Sequence, residues 1–131
     1  MTQPPPRILV VDDNEALREN LGEALHLEGY AATLAADGAS ALQRLDGEPF
    51  DAVLLDLVMP GMDGRQVLAR IRENARLARV RVVVTTGHSG ARARAGVPAD
   101  AFLLKPFGVR ELLAALRKVG VAHRTAGDGT A

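Results

Sequence analysis

Five short apolar runs, each followed by an amphipathic or polar stretch, leave this chain few folds to choose from. The runs are Ile8-Leu9-Val10-Val11, Ala31 to Ala35, Ala52-Val53-Leu54-Leu55, Val80 to Val84 and Phe102-Leu103-Leu104. All are too short for helices, and the β-branched, uninterrupted ones read as strands buried on both faces. After the first, Asn14 is placed to cap a helix with Leu17, Leu21, Ala24 and Leu25 on one stripe and Gly29 as its stop. Similar stripes recur at Ala39, Ala41, Leu42 and Leu45, at Val67, Leu68 and Ile71, and at Val109, Leu112, Leu113 and Leu116. Strands joined by helical crossovers lie parallel, in a sheet covered on both sides by right-handed connections. The expected fold is therefore α/β, a doubly wound five-stranded parallel sheet of order 2-1-3-4-5, flavodoxin-like. The stretch from Gly87 to Pro98 holds three glycines and almost no apolar stripe, so the helix after strand four is expected to be short or irregular.

In such sheets ligands sit outside the carboxyl ends of the strands, where the order reverses. Strand one runs into Asp12-Asp13, strand three into Asp56, strand four into Thr85-Thr86-Gly87 and strand five into Lys105-Pro106, whereas strand two ends in alanines. Adjacent strands thus bring three carboxylates, a hydroxyl and an ammonium to one edge. Asp56, between Val53-Leu54-Leu55 and Leu57-Val58-Met59, is the hardest to explain as a turn residue, because an unpaired charge there is costly. Clustered carboxylates repel one another and suit a hard divalent cation such as Mg²⁺, which keeps waters and so leaves room for phosphate oxygens. A carboxylate nucleophile beside Mg²⁺ and a lysine is a phosphoryl-acceptor arrangement that needs no histidine base, since the carboxylate is already ionised at neutral pH.

Composition narrows the alternatives. There is no cysteine, which removes disulfide scaffolds, thiolate zinc sites and thiol catalysis. No apolar run approaches the ~18 residues of a membrane span, and Met1 to Pro6 lacks the apolar region of a secretory signal, so no membrane contact and a cytoplasmic location are expected. The formal charge of zero hides a division: residues 1–56 hold 3 basic and 11 acidic groups, and residues 57–99 hold 8 arginines against Asp63 and Glu73. Glu15, Glu19, Glu23 and Glu28 make the first helix acidic, while Arg65, Arg70, Arg72, Arg76, Arg79 and Arg81 make the third helix and its sequel basic.

The stretches Ile8 to Asp13, Val53 to Gly64, Val82 to Gly87 and Phe102 to Phe107 together resemble the receiver domain of two-component response regulators, a resemblance that runs from about residue 7 to 119. It implies that Asp56 is the phosphoacceptor, taking its phosphoryl group from a histidine kinase or histidine phosphotransfer protein. It implies a Mg²⁺ site formed by Asp12, Asp13, Asp56 and the backbone carbonyl of Val58. Thr86 and Lys105 match the family's phosphate-sensing pair, Phe102 matches its switch aromatic, and the Lys105-Pro106 bond is expected to be cis. The resemblance also implies a role for the first helix in kinase docking. Phosphorylation is then expected to switch a surface read by a downstream protein target. Val58 and His88, two residues beyond Asp56 and Thr86, carry neither a carboxylate nor an amide to position an attacking water, so a phosphoryl lifetime outside the fastest class is expected.

Rival functions fit less well. A Mg²⁺-dependent phosphatase with an aspartyl-phosphate intermediate wants a second acid at position 58, where this chain has Val58. No Gly-x-x-x-x-Gly-Lys-Ser/Thr loop is present for a nucleotide, and a flavin phosphate would meet two carboxylates after strand one. The expected organisation is a Pro-rich leader at 1–6, a receiver domain at 7–120 and a flexible tail at 121–131. With about a dozen residues beyond the last helix, no recognition module and no direct nucleic-acid contact are expected.

Overall fold

In the computed structural model, which describes residues 4–87 and 96–122, the chain alternates strand and helix: β1 (Arg7–Val11), α1 (Glu15–Leu27), β2 (Ala31–Ala35), α2 (Gly38–Gly47), β3 (Ala52–Asp56), α3 (Gly64–Glu73), β4 (Arg81–Thr86), β5 (Ala101–Leu104) and α4 (Val109–Lys118). A short 3₁₀ turn, Ala75–Leu77, follows α3. The strands form one parallel sheet of order β2-β1-β3-β4-β5. The order expected from the βα alternation is the one adopted. The segment expected to be a short or irregular helix lies, from 88 to 95, outside the described residues, and His88 lies there with it.

Alternation along each strand divides the core into two layers. Leu9, Val11, Val53, Leu55, Val82 and Val84 meet Ala41 and Leu45 of α2 and Val67, Leu68 and Ile71 of α3. Ile8, Val10, Leu54, Val83 and Leu103 meet Leu21 and Leu25 of α1 and Leu112 and Leu116 of α4. Because β1 and β3 are buried on both sides, their sequences show no polar alternation.

Local polar chemistry sets where the helices begin. Asn14 Oδ1 accepts the N–H of Leu17 at 3.0 Å, and Gly29 ends α1 with φ 93, a value that favours glycine. Asp37 accepts from Ser40 at 2.7 Å, and these hydrogen bonds hold its carboxyl below the usual range. Asp63 and Gln66 form a reciprocal capping box, with Asp63 Oδ1 accepting the Gln66 N–H at 3.0 Å and Gln66 Oε1 accepting the Asp63 N–H at 2.9 Å. Asp63→Ala should lower stability by about 1 kcal/mol, read as a lower urea midpoint with unchanged slope.

Acids at the amino ends of the strands are structural. Asp51 Oδ2 accepts the Arg7 N–H at 2.8 Å, and Asp100 Oδ2 accepts the Val82 N–H at 2.7 Å and the Arg72 guanidinium at 2.9 Å. Past α4 the chain returns to the core, where Val121 is buried and its carbonyl accepts the buried Tyr30 hydroxyl at 3.1 Å. The packed unit thus includes Val121, the first residue of the expected tail.

Candidate functional site

The register that aligns Val11 with Leu55, Asp56 with Thr85 and Thr86 with Leu104 brings the carboxyl ends of four neighbouring strands to one edge. Asp12, the residue after β1, is buried to 2% exposure. Its Oδ1 accepts the Asn14 N–H at 2.9 Å, its Oδ2 accepts from Lys105 Nζ at 2.9 Å, and its carbonyl accepts from the Arg18 guanidinium at 2.8 Å. Asp56 closes β3 at 5% exposure, with Oδ1 taking the Val58 N–H at 3.2 Å and Oδ2 lying 3.5 Å from Lys105 Nζ. Asp13 is exposed, and carboxylate oxygens of Asp12, Asp13 and Asp56 all lie within 4.8 Å of one another.

Thr86 ends β4 as a buried residue, and its carbonyl accepts the Lys105 N–H at 2.7 Å. The Lys105-Pro106 peptide is cis. Phe102, paired in register with Val84, is partly buried against the α2–α3 side of the core. Val58 exposes 61% of its surface beside the cluster. Asp12, Asp13, Asp56 and Lys105 are therefore brought into one group, with Thr86 held to Lys105 through the backbone and Phe102 one layer away.

Burial pushes the Asp56 carboxyl up to about 6, and the charge of Asp12 pushes the same way. The Lys105 ammonium and the Val58 N–H favour the ionised form and oppose that rise without cancelling it. For Lys105, burial pulls the ammonium down, but the hydrogen bond to Asp12 and the charge of Asp56 outweigh it, and the net shift is upward. Three carboxylates meet one ammonium here, so negative charge remains in excess on the exposed Asp13 side. An all-oxygen donor set with one open side fits a hard divalent cation of the Mg²⁺ type.

Two supporting residues carry little or no signal in the sequence. Arg18 gives no local hint of its bond to the Asp12 carbonyl, because that bond needs α1 folded back over the end of β1. Gly64 opens α3 with its α-carbon pressed on the backbone of Asp56 and Leu57, and its N–H donates to the Leu57 carbonyl at 3.0 Å. A glycine directly after a capping aspartate is the available hint.

Comparison with known proteins agrees with this geometry. The family model of the response regulator receiver domain matches residues 8–117. The response regulator MprA of Mycolicibacterium vanbaalenii is 40% identical over 127 residues, which cover 95% of this chain and 54% of that protein. MprA of Mycobacterium ulcerans is 41% identical over 113 residues, or 85% of this chain and 48% of that one. The chain thus spans about half the length of the curated relatives it matches. Among solved structures, the chemotaxis response regulator CheY4 of Vibrio cholerae is 28% identical with a TM-score of 0.82, covering 88% of this chain and 98% of that one. The response regulator TrrA of Thermotoga maritima, solved in complex with Mg(2+)-BeF, is 33% identical with a TM-score of 0.78, covering 87% and 98%. With the sheet order, the acidic edge and these matches in agreement, the chain belongs to the response regulator receiver domain family.

Proposed function

We propose that this domain is a phosphoacceptor of a two-component relay in which Asp56 takes a phosphoryl group from a phosphohistidine of a histidine kinase or histidine phosphotransfer protein. The observation that carries this reading is the position of Asp56: buried at the carboxyl end of the central strand, 3.5 Å from Lys105 Nζ and clustered with Asp12 and Asp13. An Asp56 carboxylate oxygen forms a bond to phosphorus as the phosphorus–nitrogen bond breaks, and the imidazole leaves with the electron pair, giving an acyl phosphate. Asp12, Asp13, Asp56 and the Val58 carbonyl would hold a Mg²⁺ ion, which would supply neutralisation of the charge brought by the incoming phosphoryl group.

The chain's own groups do the rest. Lys105 stands between Asp12 and Asp56 and offers its ammonium to a phosphoryl oxygen. The Thr86 hydroxyl, at the end of the neighbouring strand, donates to another. Moving Thr86 toward the phosphoryl group vacates space that the Phe102 ring takes up, which biases a two-state surface read by a downstream protein target. The acceptor itself carries out no reaction on a separate substrate, so the domain is a signalling element that catalyses only its own phosphorylation and dephosphorylation. The receiver unit runs from near residue 7 to the end of α4, with Val121 packed against it. No described helix is long and apolar enough to cross a membrane, and the reading places the domain in the cytoplasm, working on proteins rather than on nucleic acid or lipid.

Incubation with Mg²⁺ and a small-molecule phosphodonor should add the mass of one phosphoryl group to the wild type and none to Asp56→Asn. An unlabelled wild type, or a label retained in Asp56→Asn, sinks the assignment. Val58 presents only methyl groups beside the acceptor and cannot orient water. The isolated phosphoprotein should therefore outlast the fastest members of its class, and decay within seconds in a radiolabel chase would contradict this.

A further inference from the structure

Every polar atom of Asp12 has a partner. Its N–H donates to the Ala35 carbonyl at 3.2 Å, and its two carboxylate oxygens accept from the Asn14 N–H and from Lys105 Nζ at 2.9 Å each. Its carbonyl accepts from Arg18 Nη1 at 2.8 Å, a bond supplied by a side chain six residues further on. Arg18 is the fourth residue of α1, at the end of the helix where the dipole disfavours a cation. Its side chain is partly buried and turns back toward the end of β1. The helix that delivers it is firmly held: the Arg18 N–H donates to the Asn14 carbonyl at 2.9 Å, and Leu21 and Leu25 are buried in the core.

The Asp12 carbonyl belongs to the peptide that joins Asp12 to Asp13. Because a peptide is planar, holding its oxygen fixes the plane and with it the course of the chain into Asp13. Asp13 is the exposed member of the three carboxylates, yet its oxygen lies within 4.8 Å of those of the buried Asp12 and Asp56. We propose that Arg18 is a positioning residue for the divalent cation: by gripping the Asp12 carbonyl it orients the Asp12–Asp13 peptide so that Asp13 faces the other two acids. This role rests on the cation-dependent acceptor reading and acts through the backbone alone. Without the guanidinium, the carbonyl of a residue only 2% exposed loses its donor. A buried carbonyl without a partner is costly, so the peptide turns toward water and carries Asp13 with it. Charge alone gives the opposite sign, since a guanidinium near three acids repels an incoming cation and its removal would tighten binding.

Calorimetric titration of the unphosphorylated full chain with Mg²⁺ tests this. Arg18→Met keeps an aliphatic stem and removes the guanidinium. Its Mg²⁺ dissociation constant should rise about 10-fold, the usual effect of losing a group that orients a metal ligand from behind. Arg18→Lys keeps the charge and a donor without the planar fork, and should recover part of that loss. The Mg²⁺ concentration that half-saturates labelling by a small phosphodonor should rise by the same factor. Wild-type or tighter Mg²⁺ binding by Arg18→Met overturns the proposal and leaves the acceptor reading standing. A lower urea midpoint in metal-free Arg18→Met with unchanged Mg²⁺ affinity makes the contact a helix anchor only, and overturns it too. A wild type that binds no Mg²⁺ removes the cation site itself, and this proposal with it. Should Arg18→Met fail to fold, Arg18→Lys carries the same comparison: a dissociation constant above that of the wild type is expected, and an equal one overturns the proposal.

Discussion

Asp56→Asn should make the metal-free protein more stable at pH 8 while removing its capacity to be phosphorylated. The two effects share one cause. Folding buries the Asp56 carboxyl beside Asp12 and raises it to about 6 from its ordinary 3.8, so between these values the native state holds a proton that the unfolded chain has already released. The native state is favoured relative to neutral conditions below the unfolded value, and that advantage disappears as pH rises through about 6. At pH 8 an ionised Asp56 works against the fold, and the rise from 3.8 to about 6 sets a ceiling of about 3 kcal/mol on that effect. Asparagine keeps the shape, accepts the Val58 N–H and carries no charge, but gives up the attraction to Lys105. A net gain of about 1–2 kcal/mol is expected. Denaturation of both proteins from pH 4.5 to 8 checks it: the wild type should lose stability across the Asp56 titration and the variant much less. Equal midpoints at pH 8 would remove the argument. Added Mg²⁺ should raise the wild-type midpoint and affect the variant less, since a ligand that binds the native state stabilises it more the tighter it binds.

Gly64→Ala is expected to be the most damaging single methyl in the described structure. A Cβ at this position would overlap the Asp56 carbonyl oxygen and lie 2.6 Å from the Leu57 α-carbon. These are backbone atoms, and they have little freedom to move, because the Leu57 N–H is bonded to the Thr85 carbonyl at 3.0 Å and Leu57 itself is buried. The start of α3 must then shift away from the end of β3, at a cost of about 3 kcal/mol. The same displacement moves Asp56 relative to Lys105, so labelling by a small phosphodonor should slow in whatever protein remains folded. Gly47→Ala is the matched control: it sits at the exposed end of α2 with nothing within 4 Å of an added Cβ, and should be neutral or slightly stabilising. A pair of variants with the same chemistry and opposite signs in a urea titration separates close packing from general intolerance of alanine.

Most of the acidic edge is legible in the sequence for a simple reason. Asp12, Asp13, Asp56, Thr86 and Lys105 follow, or close, runs of residues that have to be strands, and a parallel sheet sends all its carboxyl ends the same way. Strand limits are less legible. The apolar run of the fourth strand stops at Val84, yet Thr85 and Thr86 belong to β4, because the ladder to β3 and β5 continues past it. Polar side chains do not stop a strand whose backbone still has partners on both sides.

What no periodicity contains is contact between parts of the chain far apart in number. Lys105 is 93 residues from Asp12, and their 2.9 Å bond exists only because β5, β4, β3 and β1 lie side by side in that order. The upward shift of Asp56, the close approach of Gly64 and the hold of Arg18 on Asp12 are likewise products of packing. By itself the sequence determined the alternation of strand and helix, and with it the set of residues available at the functional edge, since hydrophobic spacing and capping act over a few residues. Only the tertiary structure decided which charges meet, how deeply they are buried and what must fit between them, because desolvation and close packing depend on the whole surrounding fold.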